Sequence, residues 1–213
     1  MVSREDRRIR AKLLAKKYPE SAHLLELYRQ ITLLQDDIAA EFPDRAREPV
    51  EWFPRLAALV PQISYPLTSE AEEFFWRIVK QPFAEYSRKP VEGIGSTCPS
   101  CGSKPVVGVL RGEGDGAKRA FICSVCALEW PYRRLICANC GEEDKEKLPV
   151  YLAAQIAHIR VEACDTCGTY LKSVDVTKDG FAVPVVDEIA TVALNLWADE
   201  HGYTKIETNV LGM

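Results

Sequence analysis

The chain has 213 residues, enough for one or two domains, with 47% hydrophobic residues and a formal net charge of −4. That balance is ordinary for a chain that buries a core, and the charge gives no global attraction to nucleic acid or an anionic membrane. No apolar run approaches the ~20 residues of a membrane span, and the start, Met1-Val-Ser-Arg-Glu-Asp-Arg-Arg, lacks the apolar stretch of a signal peptide. A soluble, cytoplasmic protein with reduced thiols is therefore expected.

Residues 1–92 read as a helical domain. Arg4 to Lys17 is highly charged, with Ile9, Leu13 and Leu14 as a narrow apolar stripe. Pro19 and Ser21 open a second helix, with Ser21 as its N-cap. Leu24, Leu25, Tyr28, Ile31, Leu34 and Ile38 recur there at three- and four-residue steps, and Pro43 ends it. A third helix fits Val50 to Val60, carrying Trp52, Phe53, Leu56 and Leu59 and stopped by Pro61. Thr68 and Ser69 precede a fourth, in which Ser69 and Glu72 have capping-box spacing. Its Phe74, Phe75, Ile78 and Val79 read as bundle core, and Pro82 is expected to kink or interrupt it. His23 is assigned no role.

The pattern breaks at Pro90-Val91-Glu92-Gly93-Ile94-Gly95, the expected domain boundary. Residues 93–213 then form a second domain. Short β-prone runs cover Val106 to Leu110, Arg119 to Ile122, Arg134 to Ile136, His158 to Ala163 and Tyr170 to Val176, with a hairpin turn at Gly112 to Gly116. Pro149 to Ala157 suits either a strand or a helical turn. A C-terminal helix over 185–202 places Asp187 near its start, makes one apolar face of Ile189, Val192, Ala193, Leu196 and Trp197, and uses Gly202 as C-cap. Its stripe must pack on the N-terminal helices or on the module before it.

All eight cysteines fall in that second domain as four C-x-x-C pairs: Cys98/Cys101, Cys123/Cys126, Cys137/Cys140 and Cys164/Cys167. A C-x-x-C turn aims two thiolates at one point, and two turns complete a tetrahedral four-sulfur site. Twenty-one residues separate Cys101 from Cys123, and 23 separate Cys140 from Cys164. These near-equal intervals point to a duplicated unit, about 96–130 and 131–176, with sequential pairing: Cys98, Cys101, Cys123 and Cys126 around one metal, and Cys137, Cys140, Cys164 and Cys167 around the other. Glycine follows the second cysteine at Gly102, Gly141 and Gly168; Ala127 breaks the rule. Units this small usually need a staple, which a bound metal supplies. Four thiolates suit zinc and rubredoxin-type iron equally.

Three roles compete for these sites. Two zinc ribbons can simply hold a scaffold. They can bind nucleic acid, but ten basic and ten acidic residues between Val91 and Lys172 leave the module neutral. Thiol–disulfide exchange normally places one C-x-x-C at a helix N-terminus, whereas these pairs lie between β runs. His158, six residues before Cys164, reads as a strand-end residue because eight cysteines already fill two sites. Trp130, Tyr132 and Tyr170 read as a hydrophobic wall, or as partner anchors where exposed.

The run Cys98-Pro-Ser-Cys-Gly-Ser-Lys-Pro, then Cys123-Ser-Val-Cys-Ala-Leu-Glu-Trp with Arg133-Arg134 and Cys137-Ala-Asn-Cys-Gly, resembles the formate dehydrogenase accessory protein FdhE family. Arg160-Val-Glu-Ala-Cys-Asp-Thr-Cys-Gly-Thr-Tyr-Leu-Lys is similar to that family again, as is the tail with Asp187-Glu-Ile-Ala-Thr and Asn209. The likeness covers about Pro90 to Met213; before it there is only a helical pattern, which looks shorter than in familiar members. It implies an α+β protein: an N-terminal helical domain, two tandem rubredoxin-like or zinc-ribbon units, and a C-terminal helix. It also implies a cytoplasmic assembly factor, not an enzyme, acting on the catalytic subunit of respiratory, molybdenum- or tungsten-containing formate dehydrogenases before export. The eight cysteines would hold two metal ions, iron or zinc, and no residue would serve as catalytic acid, base or nucleophile. A generic zinc-ribbon adaptor is the runner-up, followed by a nucleic-acid binder.

Overall fold

The computed structural model describes residues 2–41, 53–59, 69–88, 95–114 and 116–213. Pro43, Val50 to Trp52, Val60, Pro61, Thr68, Pro90 to Ile94 and Asp115 lie outside them, as do the side chains of Phe53, Leu56 and Leu59. Four α-helices come first among the described residues: α1 (Arg4–Lys17), α2 (Ala22–Ala40), α3 (Phe53–Leu59) and α4 (Ser69–Ser87). Leu25, Tyr28, Ile31, Leu34 and Ile38 of α2 are buried against Phe75, Ile78 and Val79 of α4, as the helical period predicts. The fourth helix runs through Pro82 without interruption.

Of the expected stripe of α1 only Leu14 lies on its buried face. Ile9 and Leu13 are exposed, while Arg7, Arg10, Ala11 and Leu14 are buried. Two guanidinium groups can face inward because each meets a carboxylate. Arg7 pairs with Glu85 at 3.2 Å, and Arg10 pairs with Asp187 at 2.5 Å. Ser21 stands at the N-cap position of α2 but does not cap it. Its hydroxyl instead donates to the Ala190 carbonyl at 2.8 Å, tying α2 to the C-terminal region.

Seven strands follow among the described residues: β1 (Pro105–Glu113), β2 (Gly116–Cys123), β3 (Glu129–Pro131), β4 (Val150–Leu152), β5 (Ile159–Cys164), β6 (Thr169–Asp175) and β7 (Thr204–Lys205). They form one mixed sheet in the order β3-β2-β1-β6-β5-β4, with β7 alongside the start of β6. Each half is an antiparallel three-stranded unit, and the halves join through the parallel pair β1–β6. The order within each half runs the same way, so the units stand head to tail. Pro149 to Ala157 resolves into both options, β4 and then a short 3-10 turn at Ala154–Ile156.

The strand expected at Arg134 to Ile136 is a bend, and the third strand lies earlier at Glu129–Pro131. Leu135 takes φ +58°, and Arg119 Nη1 gathers the carbonyls of Arg133 (3.3 Å) and Ile136 (3.1 Å), which pulls the backbone out of extended form. The single C-terminal helix is likewise two, α5 (Pro184–Ala190) and α6 (Val192–Glu200). They break at Thr191 because the buried Lys172 ammonium takes the carbonyls of Glu188 (2.5 Å) and Thr191 (3.2 Å). The break changes the phase of the apolar face. Leu196 is exposed, while Leu194, Trp197 and Ala198 pack on Val161, Ala163 and Tyr170 of the sheet. Meanwhile Val186, Ile189 and Ala190 of α5 enter the core of α1, α2 and α4. Gly202 closes α6 at φ +81°, with Tyr203 N on the Ala198 carbonyl and Gly202 N on that of Asp199.

Candidate metal centres

The turns that begin at Cys98 and Cys137 are built by the same backbone bonds. Cys98 N donates to Ser103 O (2.8 Å) and Gly102 N to Cys98 O (2.8 Å); Cys137 N to Glu142 O (2.9 Å) and Gly141 N to Cys137 O (3.1 Å) repeat them. The residue after the second cysteine must turn left-handed, at φ +76° for Gly102, +78° for Gly141 and +64° for Gly168. Ala127 adopts the same conformation at φ +53° despite its β-carbon, so the turn geometry survives the missing glycine.

The turns come together in pairs, sequentially. Cys98, Cys101, Cys123 and Cys126 form one group and Cys137, Cys140, Cys164 and Cys167 the other, each with its sulfurs within 4.8 Å of one another. Neighbouring sulfurs lie 3.5 Å apart for Cys98–Cys126, 3.4 Å for Cys101–Cys123, and 3.7 Å for both Cys137–Cys167 and Cys140–Cys164. A disulfide would need about 2.05 Å. Sulfurs at the corners of a tetrahedron with metal–sulfur bonds of about 2.3 Å stand roughly 3.8 Å apart. The donor set and the spacing fit a tetrahedral metal ion.

The electrostatics point the same way. Burial pushes the Cys98 thiol up to about 11 and Cys164 up to about 12. Hydrogen bonding from Cys123 holds Cys126 down to about 5, while Cys123 itself is pushed far up. Four crowded thiols cannot all ionise without a cation among them, and a bound metal is such a cation. Backbone N–H groups support the sulfurs: Val125 and Cys126 donate to Cys123 Sγ at 3.4 Å, and Asn139 to Cys137 Sγ at 3.3 Å.

The two groups differ in their surroundings. The first sits in an apolar cluster with Phe121 and Trp130, whose indole Nε1 donates to Gly95 O at 2.9 Å. The second carries more polar support. Cys167 is buried enough to be pushed up, yet hydrogen bonds from Thr169 (Oγ1 at 3.1 Å) and Asn139 hold it down to about 6. A signal for such support was in the sequence, since a hydroxyl residue follows the glycine at both Ser103 and Thr169. In each group the second cysteine of the first turn, Cys101 or Cys140, is exposed. The groups also touch: Ala138, inside the turn of the second, packs in the cluster of the first, and Lys104 Nζ reaches Asn139 Oδ1 at 3.1 Å.

His158 takes no part in either group. It is buried, with Nε2 2.9 Å from Asp187 Oδ1. Asp179 completes a third cluster with them, but Arg10 bonds both Asp187 (2.5 Å) and Asp179 (2.7 Å), so this is a buried ion-pair network. Trp130 and Tyr170 are buried and wall the sheet. No helix among the described residues is long and apolar enough to cross a membrane.

Comparison with known proteins follows this geometry. Residues 97–134 match the family model described as FdhE, central domain, and residues 135–211 match FdhE, C-terminal domain. A protein named FdhE homolog from Aquifex aeolicus is 40% identical over 116 residues, which is 54% of this chain and 41% of that protein. Its namesake in Pectobacterium carotovorum is 30% identical over 197 residues, 89% of this chain and 55% of its own length. The chain thus spans about half, or less, of the curated relatives it matches. The crystal structure of the FdhE protein from Pseudomonas aeruginosa shares the fold, with a TM-score of 0.74 at 23% identity over 98% of this chain and 96% of that one.

Proposed function

The chain belongs to the FdhE family, and from that premise we propose that it is a cytoplasmic accessory factor. On this reading it binds the catalytic subunit of a respiratory formate dehydrogenase and is needed for that subunit's maturation and activity, without being an enzyme itself. Residues 1–92 are the helical domain and 93–213 the metal-binding domain. Cys98, Cys101, Cys123 and Cys126 ligate one metal ion; Cys137, Cys140, Cys164 and Cys167 ligate the second.

The observation that carries the reading is the pair of four-thiol groups built into one sheet, each with one thiol at the surface. When bound, iron in such a site supplies one-electron chemistry and zinc supplies a cross-link. The residues around the sulfurs do the rest. Backbone donors and Thr169 orient and stabilise the thiolates, and Phe121 and Trp130 pack against Cys98, Cys123 and Cys126 of the first group. The burial of those three thiols also favours a second reading, a purely structural zinc ribbon that serves as a protein-interaction adaptor.

The test is capture of the catalytic subunit by the purified chain, with metal content and visible absorbance recorded on the same sample. A subunit that ignores the wild-type chain would refute the assembly role. Ferric–thiolate colour would assign iron, and a colourless protein with two zinc ions would assign the structural role.

A further inference from the structure

The sheet ends differently at its two edges. At one end β3 closes with Pro131, which has no N–H to offer, and neighbouring Glu129 is held by Arg111 at 2.6 and 2.7 Å. At the other end β4 pairs only with β5 among the described residues. The bond from Ala163 N to Pro149 O fixes the alternation along this edge. Residues 149 and 151 turn their backbone groups to β5, whereas Val150 and Leu152 turn theirs outward. A row of unpaired backbone groups is a template for another strand.

The side chains at this edge are apolar and uncovered. Val150 is 48% exposed and Leu152 67%, both on the same face of the strand. Leu135, 51% exposed, lines a cavity together with Val150 and takes a left-handed conformation, a strain of roughly 1–2 kcal/mol for a residue with a β-carbon. That cavity, of about 100 Å³, lies next to Cys137 and Cys164, with room for one aliphatic side chain.

The charge around that cavity has one sign to spare. Among the described residues Glu162 is its one carboxylate, and it is already shared by Arg119 and Arg160. Among them, too, Arg134 donates only to the Ala117 carbonyl, at 3.4 Å, and the buried Nε of Arg119 has no partner.

We propose that an extended segment of a protein partner adds to the sheet beside β4, seating an apolar side chain in this cavity and presenting a carboxylate to Arg134 and Arg160. The inference rests on the assembly reading above, and the segment belongs to the client catalytic subunit. A second copy of the chain fits poorly. Its own edge, Lys147 to Gln155, carries no acidic residue, and β4 on β4 would bring the arginines of both copies together.

Short overlapping peptides tiling the catalytic subunit, bound to the full chain in solution, test the site. The binders are expected to alternate apolar residues with Asp or Glu. Leu152→Glu and Arg134→Glu should each weaken them roughly tenfold or more, with a Lys-for-Glu exchange in the peptide restoring affinity to Arg134→Glu. Val150→Pro should weaken binding further than Val150→Ala does, because both lose the valine side chain at the cavity but only proline also removes an outward N–H, and neither breaks a bond to β5. Metal content and circular dichroism report that each variant is folded, and Phe181→Ser, on an exposed turn elsewhere, should change nothing. Absence of any binding peptide, or equal binding by the variants, overturns the site; if the wild-type chain still captures the whole subunit, the assembly role stands without it. A wild-type dimer that Leu152→Glu dissociates also overturns the proposal, in favour of a second copy.

Discussion

Gly108 in β1 lies so close to Ser173 in β6 that a β-carbon at position 108 would stand 2.1 Å from the serine hydroxyl oxygen. This contact sits at the parallel junction where the two cysteine-bearing units become one sheet. Gly108→Ala should therefore cost about 1–3 kcal/mol through overpacking, and Ser173→Gly in the same chain should return most of it. Urea unfolding of the two single variants and the double variant measures the coupling; simple additivity would mean that the junction relaxes freely.

Asp187, in α5, is the node of the buried network that joins α1 to His158, the residue before β5. It accepts Arg10 at 2.5 and 3.0 Å, Val183 N at 2.8 Å and His158 at 2.9 Å. Asp187→Ala leaves the buried Arg10 guanidinium with Asp179 alone and His158 without its carboxylate, and is expected to lose about 3 kcal/mol in chemical denaturation. A loss under 1 kcal/mol would show that Asp179 and water satisfy Arg10 by themselves.

The grouping of sulfurs predicts a pattern of metal loss. Cys98→Ser and Cys123→Ser should each lose one metal ion, the same one, and combining them should lose no more. Cys137→Ser and Cys164→Ser should lose the other. Metal analysis of the purified variants decides, and a Cys98→Ser protein that emptied the group of Cys137 would refute the arrangement.

Ala138 belongs by sequence to one group and by packing to the other. Ala138→Glu puts a charge into the apolar cluster around Cys98 and Trp130. It should speed release of both metal ions to a chelator, whereas Asn139→Ala, in the same turn, should speed only the release from the second group. Release of the second ion alone from the glutamate variant would show the two centres to be independent.

Acid should unfold the protein through Glu188. Its carboxyl is fully buried, which by itself would raise it, but Lys172 at 3.0 Å and Lys205 at 2.5 Å hold it down to about 2, against 4.5 ordinarily. A carboxyl depressed on folding adds stability above its unfolded pKa and loses it as pH falls through the folded one. A contribution of about 3 kcal/mol should thus be complete above pH 5 and disappear toward pH 2. Glu188→Gln should flatten that limb of the stability–pH curve; an unchanged slope would rule the residue out.

The cysteine spacing carried the grouping of the eight thiols, because C-x-x-C turns are local and their pairing follows from intervals along the chain. The helix periods of α2 and α4 were legible for the same reason. What failed was set by distant partners. No local rule turns Arg7 and Arg10 inward and leaves Ile9 and Leu13 outside; carboxylates at Glu85 and Asp187 do that. The bend at Leu135 depends on Arg119, and the break at Thr191 on Lys172. In the last two cases a buried cation collects carbonyls that regular structure would have used.

The parallel junction has a consequence for biosynthesis. During translation β1 emerges with its hairpin partner β2, but the strand for its other edge is made only after the last pair of cysteines. The first four thiols can therefore gather before the edge of their unit is covered, and Val107 and Val109, buried in the finished fold against Ile159 and Val174, lack that cover until those residues are made. Early metal capture by Cys98, Cys101, Cys123 and Cys126 would hold the half-built sheet together until its second half arrives.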